Sequence, residues 1–121
     1  MIFLDRAKLR AMGESAAWLT GRRQRVRIVG DSMLPTLAEG QFVLLDRRQV
    51  PVAGQLAVAE HPHQPDLLVV KRVESVTADG RFVLSSDNPD AGTDSRAWGP
   101  IAAEAVHGTV TLLLDSPSTV L

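Results

Sequence analysis

Two residues of this chain could do covalent chemistry together: a serine at a chain corner and a lysine inside an apolar run. Ser32 lies in "VGDSMLPTL", just after the apolar stretch "VRIV". Gly30 and Asp31 make a turn at the end of that stretch, and Pro35 prevents a regular helix from starting before it. A serine at such a corner displays its hydroxyl beside a free backbone N–H, as a nucleophile requires. Lys71 lies in "DLLVVKRVESV". Strand alternation sets Leu67, Val69, Lys71 and Val73 on one face, and Leu68, Val70, Arg72 and Glu74 on the other. The second face ends in two opposite charges and reads as solvent-exposed there. The first is apolar apart from Lys71, whose amine therefore points towards the core. Burial lowers a lysine pKa from about 10.4, and a neutral amine can accept a proton from a serine hydroxyl. Ser32 and Lys71 are thus the residue types of a Ser–Lys dyad.

The histidines offer no competing triad. His61 and His63 fall in the proline-rich loop "HPHQPD", and His107 opens a late strand with no positional reason to meet Ser32. There is no cysteine, which excludes disulfides and thiolate metal sites. A third segment, "SSDNPDAGTDSRAWGPI" over residues 85–101, is a long polar loop in a small domain, and such loops are usually functional. Asp87, Asn88 and Asp94 favour turns. Asp94 and Arg96 are placed to pair, and Trp98 to anchor the loop to the core.

These residues must be positioned by a fold of 121 residues, one domain's worth. Apolar residues at Leu4, Leu9, Met12, Ala16 and Leu19 predict an amphipathic helix over 4–19, with Gly21 as its stop. Beyond it, "VRIV", "QFVLLD", "QLAVAE", "DLLVVKRVESV", "RFVLSS" and "VHGTVTLLL" read as short strands separated by turn residues. Asp79-Gly80 between two of them is a hairpin signal. The expected fold is mainly β: a compact, antiparallel, partly closed domain with one N-terminal helix. The expected boundaries are 1–24 for the helix and basic arm, 25–115 for the β domain, and 116–121 for a loose tail.

The formal charge of −1 conceals an asymmetry. Residues 1–27 hold seven Lys/Arg against two acidic residues, whereas residues 28–121 hold six against twelve. A basic arm on an acidic body fits an anionic surface or partner, or the packing of one segment on the other. No apolar run approaches the roughly 20 residues of a bilayer span. Charges at Asp5, Arg6, Lys8 and Arg10 interrupt any signal-peptide core, so a cytoplasmic location is expected.

In order along the chain, "GDSMLPTL", "VVKRV" and "SDNPDAGTDSRAWGPI" resemble the motif boxes of the type I signal peptidase family. The resemblance covers residues 26 to about 110. It implies that Ser32 attacks the scissile carbonyl, that Lys71 is the base, and that the Ser32 N–H belongs to the oxyanion hole. It also implies that Asp94 and Arg96 brace the loop beneath the lysine, and that no metal or cofactor takes part. Gly30 stands where some members carry a serine that donates to the oxyanion. Gly92 stands where a lysine-orienting hydroxyl is common, leaving Thr93 or Ser95 as candidates. Ser86 replaces the usual glycine of Gly-Asp-Asn. Met33 and Leu34 are candidate lining for small pockets before the scissile bond.

With no membrane anchor in the sequence, the resemblance is strongest to the soluble branch that matures nickel-type superoxide dismutase. The expected partner is then a propeptide-bearing precursor, with no nucleic acid and at most a peripheral membrane contact. The Ser-Met and Val-Lys-Arg elements also occur in self-cleaving repressor domains, but these lack the Asp-Ser-Arg-x-Trp-Gly box. A truncated secretory signal peptidase is a further alternative, which Met1 and the charged residues directly after it argue against. A β module docking on membranes through "GRRQRVR" is another.

Overall fold

The computed structural model describes residues 23–114. The helix expected over 4–19, its Gly21 stop and the 116–121 tail lie outside the described residues. Among those described, no helix is long and apolar enough to cross a membrane.

All six expected strands form: β1 Arg23–Arg27, β2 Phe42–Asp46, β3 Leu56–His61, β4 Gln64–Val76, β5 Phe82–Ser85 and β6 Val106–Leu113. They make one antiparallel sheet in the order β1-β2-β6-β3-β4-β5. The last strand is therefore inserted between β2 and β3, a crossover that local pattern does not encode. β1 starts earlier than its apolar run implies, because the basic segment Arg23–Arg27 itself pairs with β2. Its arginines alternate outward while Gln24 and Val26 are buried. The β3–β4 connection is also tighter than expected, since the ladder continues to the His61–Gln64 pair. The Asp79-Gly80 signal holds: Thr77 and Arg81 close the β4–β5 turn, and Gly80 has φ of 83°.

The sheet buries both of its faces. One core gathers Val26, Ile28, Met33, Leu37, Val43, Leu45, Leu56, Val58, Leu68, Val70, Val110 and Leu113. The other gathers Ala57, Ala59, Val69, Val73, Phe82, Leu84 and Ile101, with Trp98 packed against it. Each fully buried aliphatic side chain contributes about 1.5–3 kcal/mol relative to exposure. Leu68 and Val70 are buried, and their face of β4 turns outward at Glu74, within the charged end that the sequence marks as exposed.

Bulges let the sheet curve enough to enclose these cores. Register shifts interrupt the β2–β6, β3–β6, β3–β4 and β4–β5 ladders. At the β6 bulge Gly108 has φ of 153°, and a Cβ there would overlap the Asp46 carbonyl oxygen. The β2 backbone passes where a side chain would stand. Gly108→Ala is therefore expected to lower stability by about 2–4 kcal/mol, read as a fall in the urea midpoint. An unchanged midpoint would refute this close approach.

Candidate active site

Ser32 is carried by the excursion between β1 and β2. Ile28 and Gly40 hold its base together, through Ile28 N–H to the Gln41 carbonyl and Gly40 N–H to the Ile28 carbonyl. Within it, Leu34 N–H donates to the Asp31 carbonyl and Leu37 N–H to the Met33 carbonyl. Met33 and Leu37 drop into the larger core and fix the corner. Met33 is 1% exposed, and its Sδ accepts from the Asp87 N–H at 3.5 Å. It anchors the Ser32 loop in the core and is absent from the wall of the cleft beside Ser32, where the sequence made it candidate lining. Leu34 is half-buried and likewise absent from the cleft wall.

Lys71 is 2% exposed, on the face of β4 that carries Val69 and Val73. Its cross-strand partner on β3 is Ala57, with Ala59 next on that face. These small side chains leave room for the lysine stem. On the other flank the β4–β5 ladder ends at the Arg72–Ser85 pair. The chain leaves the sheet at Ser86, whose Oγ accepts from Lys71 Nζ at 2.8 Å.

Ser32 is 4% exposed. Ser32, Lys71 and Gly30 line one cleft of about 430 Å³, closed on other sides by His61, Leu67, Val69 and Trp98. Gly92 lies beside both side chains. A Cβ at residue 92 would sit 2.9 Å from the Ser32 Cβ and 3.5 Å from Lys71 Nζ. The separation of those two atoms is thus bounded by the sum of these distances. Gly30 N–H is directed at the Glu39 carboxylate, 3.3 Å away.

The 86–98 segment holds this arrangement from below. Asn88 N–H donates to the Ser32 carbonyl at 2.9 Å, and its Nδ2 to the Asp31 carbonyl at 3.1 Å. Arg72 is not the solvent-exposed residue that alternation implies. Its Nε and Nη2 donate to both Asp87 oxygens at 3.0 and 2.7 Å, and Nη1 donates to the Gly54 carbonyl. The Asp87 carboxylate also accepts from the Thr36 hydroxyl at 2.5 Å.

Asp94, 2% exposed, caps the short helix α1 Ser95–Trp98, accepting from the N–H and Nε of Arg96. Its other oxygen accepts from Ser86 N–H at 2.9 Å. Ser95, a candidate for orienting Lys71, instead accepts from Leu84 N–H. Thr93 stands on the cleft wall. Two further features escape sequence reading. The Arg72–Asp87–Thr36 link joins residues far apart in the chain, and His61 stands in the cleft wall with its ring 4.8 Å from that of Trp98.

The electrostatics make the amine easier to deprotonate than a free lysine. Burial pulls the Lys71 ammonium down to about 8, against the attraction of Asp94 and with help from Arg96. Burial also lowers His61, reinforced by His63 and Lys71, so the imidazole in the cleft wall holds its proton less firmly than a free one. A buried serine hydroxyl and an easily neutralised amine thus share one cleft, as nucleophile–base chemistry requires.

A family model described as Peptidase S24-like matches residues 12–106. Among curated proteins, the chain is similar to mitochondrial inner membrane protease subunit 1 of Xenopus tropicalis, at 28% identity over 106 residues. That alignment covers 69% of this chain and 64% of the relative, so the chain spans under two thirds of that protein's length. No solved structure matches significantly.

The lysine has a measurable thermodynamic signature. Its folded pKa of about 8 lies below the unfolded value of about 10.4. Between these values the unfolded chain keeps a proton that the native state has released, so stability rises with pH across this window. Below pH 8 both states are charged and the native state bears the full desolvation penalty. Lys71→Met is therefore expected to be more stable than the parent at pH 7, by roughly 1–3 kcal/mol. The gain should shrink between pH 8 and 10, as read by urea unfolding at each pH. A variant less stable at pH 7 would contradict this account.

Proposed function

This chain belongs to the Peptidase S24-like family, and we propose that it is a serine endopeptidase in which Ser32 is the nucleophile and Lys71 the base. The observation that carries the reading is the burial of both residues around one cleft, with a lysine whose amine is readily neutralised. Neutral Lys71 takes the Ser32 Oγ proton as Oγ bonds to the scissile carbonyl carbon. The carbonyl oxygen becomes an oxyanion, facing the Ser32 N–H. The lysine then returns the proton to the departing amine, leaving an acyl-serine. Water, deprotonated by the same lysine, releases the acid and regenerates the serine. Asp94 and Arg96 support this chemistry by holding the 86–98 segment in place.

The finer reading is removal of an N-terminal propeptide in the cytoplasm, with nickel superoxide dismutase precursor as the substrate. It rests on the Ser-Met-x-Pro-Thr, Lys-Arg-Val and Asp-Ser-Arg-x-Trp-Gly elements together. The similarity to a mitochondrial inner membrane protease subunit favours a second reading, removal of a leader from a membrane-targeted precursor. The cleft's mostly apolar wall suits a short extended peptide in either case.

Incubating the purified chain with each precursor should separate the two readings, with mass spectrometry of the new N-terminus as the readout. Ser32→Ala and Lys71→Ala are each expected to reduce cleavage by at least about a thousandfold while leaving the circular dichroism spectrum unchanged. The parent kcat/KM should rise with pH to a midpoint of about 8, as the amine loses its proton. Full processing by either variant, or a rate flat from pH 6 to 9, would sink the dyad.

A further inference from the structure

We propose that Ser86 is the positioning residue for Lys71, and that the bare Gly92 is its steric complement. The inference rests on the peptidase reading above and adds a role for a residue outside the dyad. Three observations carry it. The Ser86 hydroxyl is the acceptor for Lys71 Nζ, at 2.8 Å in a buried setting. Ser86 is itself fixed, because its N–H donates to the buried Asp94 carboxylate at 2.9 Å. Finally, the backbone at residue 92 is fully extended, with φ of −178°, a conformation any residue adopts. Glycine there answers to space alone: a Cβ would meet Ser32 at 2.9 Å, Lys71 Nζ at 3.5 Å and Ser86 Oγ at 3.8 Å.

The chemistry follows from the valence of the amine. A neutral lysine has two N–H bonds and one lone pair, and only the lone pair can accept the serine proton. Rotation about the Cε–Nζ bond decides where that pair points. Donation of one N–H to Ser86 Oγ stops the rotation, and the rigid link from Ser86 to Asp94 and Arg96 keeps the acceptor in place. The same bond favours the ammonium over the amine, because a charged donor makes the stronger hydrogen bond. Ser86 therefore fixes the direction of the Lys71 amine and adds to its proton affinity. A side chain at residue 92 would enter the gap that Ser32, Lys71 and Ser86 share.

Two measurements test this. In the Ser32→Ala background, which needs no catalysis, the Lys71 side chain is followed by carbon NMR titration with and without Ser86→Ala. Loss of the acceptor should lower the titration midpoint by about one pH unit. With the active chain, Ser86→Ala should reduce kcat roughly ten- to a hundredfold with KM within about twofold. Its pH–rate midpoint should move down in step, and Ser86→Thr, which keeps the hydroxyl, should recover most of the rate. Gly92→Ala should lower kcat without shortening any substrate contact. An unmoved Lys71 titration, or a Ser86→Ala variant with parental kcat and pH profile, overturns the proposal. A parent chain that cleaves nothing while its Lys71 titration still responds to Ser86 would sink the peptidase reading and leave the positioning role standing.

Discussion

The geometry of the cleft depends on the bidentate pair between Arg72 and Asp87. These residues are the immediate chain neighbours of Lys71 and Ser86, and Asp87 also accepts from Thr36 on the Ser32 loop. One carboxylate thus joins the three segments that carry Ser32, Lys71 and Ser86. Because side chains alternate along β4, Arg72 points to the opposite side from Lys71. The clamp therefore holds the backbone from behind without occupying the cleft. An exposed ion pair is worth little, about 0–1 kcal/mol. This one is partly buried, with both fork nitrogens engaged on the carboxylate, a geometry that fixes orientation as well as energy.

A buried lysine conflicts with the fold, and the sheet is built around that conflict. Small residues on β3, Ala57 and Ala59, leave space beside it, and β5 ends so that no strand covers its far flank. The core on that side is accordingly smaller than the one behind it, where Leu56, Leu68 and Val70 pack with the β1 and β2 side chains. Stability comes from the larger core, and the smaller one accommodates the amine. That division explains why both faces of β4 are apolar although only one faces the cleft.

Much of this was legible in the sequence, and the limits have physical causes. The six strands, the inward lysine, the β4–β5 hairpin and the Asp94–Arg96 pair are local, readable from alternation, turn chemistry and spacing. Alternation divides Leu68, Val70 and Arg72 from Lys71, but it cannot say that a curving sheet covers both faces. Met33 looked like pocket lining because its position beside Ser32 is visible, whereas its contact with residue 87 is not. The same limit hid Ser86, fifteen positions from Lys71 and brought to it only by the end of a ladder. By local pattern His61 belongs to a proline-rich loop, yet the pairing of β3 with β4 carries it to the cleft wall.

The lysine's proton affinity is set by how its acidic neighbour is occupied. A buried carboxylate next to a buried ammonium would ordinarily hold the charge in place, and such a lysine would be no base near neutrality. Burial works against the Asp94 charge, but the Arg96 guanidinium and the N–H groups of Ser86 and Arg96 outweigh it, holding Asp94 below the usual carboxylate range. Its negative charge is thereby directed at Arg96, whose own positive charge also repels Lys71. The lysine meets a carboxylate that it shares with another cation, and a hydroxyl that offers a dipole but no charge. Desolvation dominates and brings the amine down to about 8. The Asp94–Arg96 pair is therefore more than a loop brace: the Arg96 charge offsets part of the attraction by which Asp94 holds the proton on Lys71.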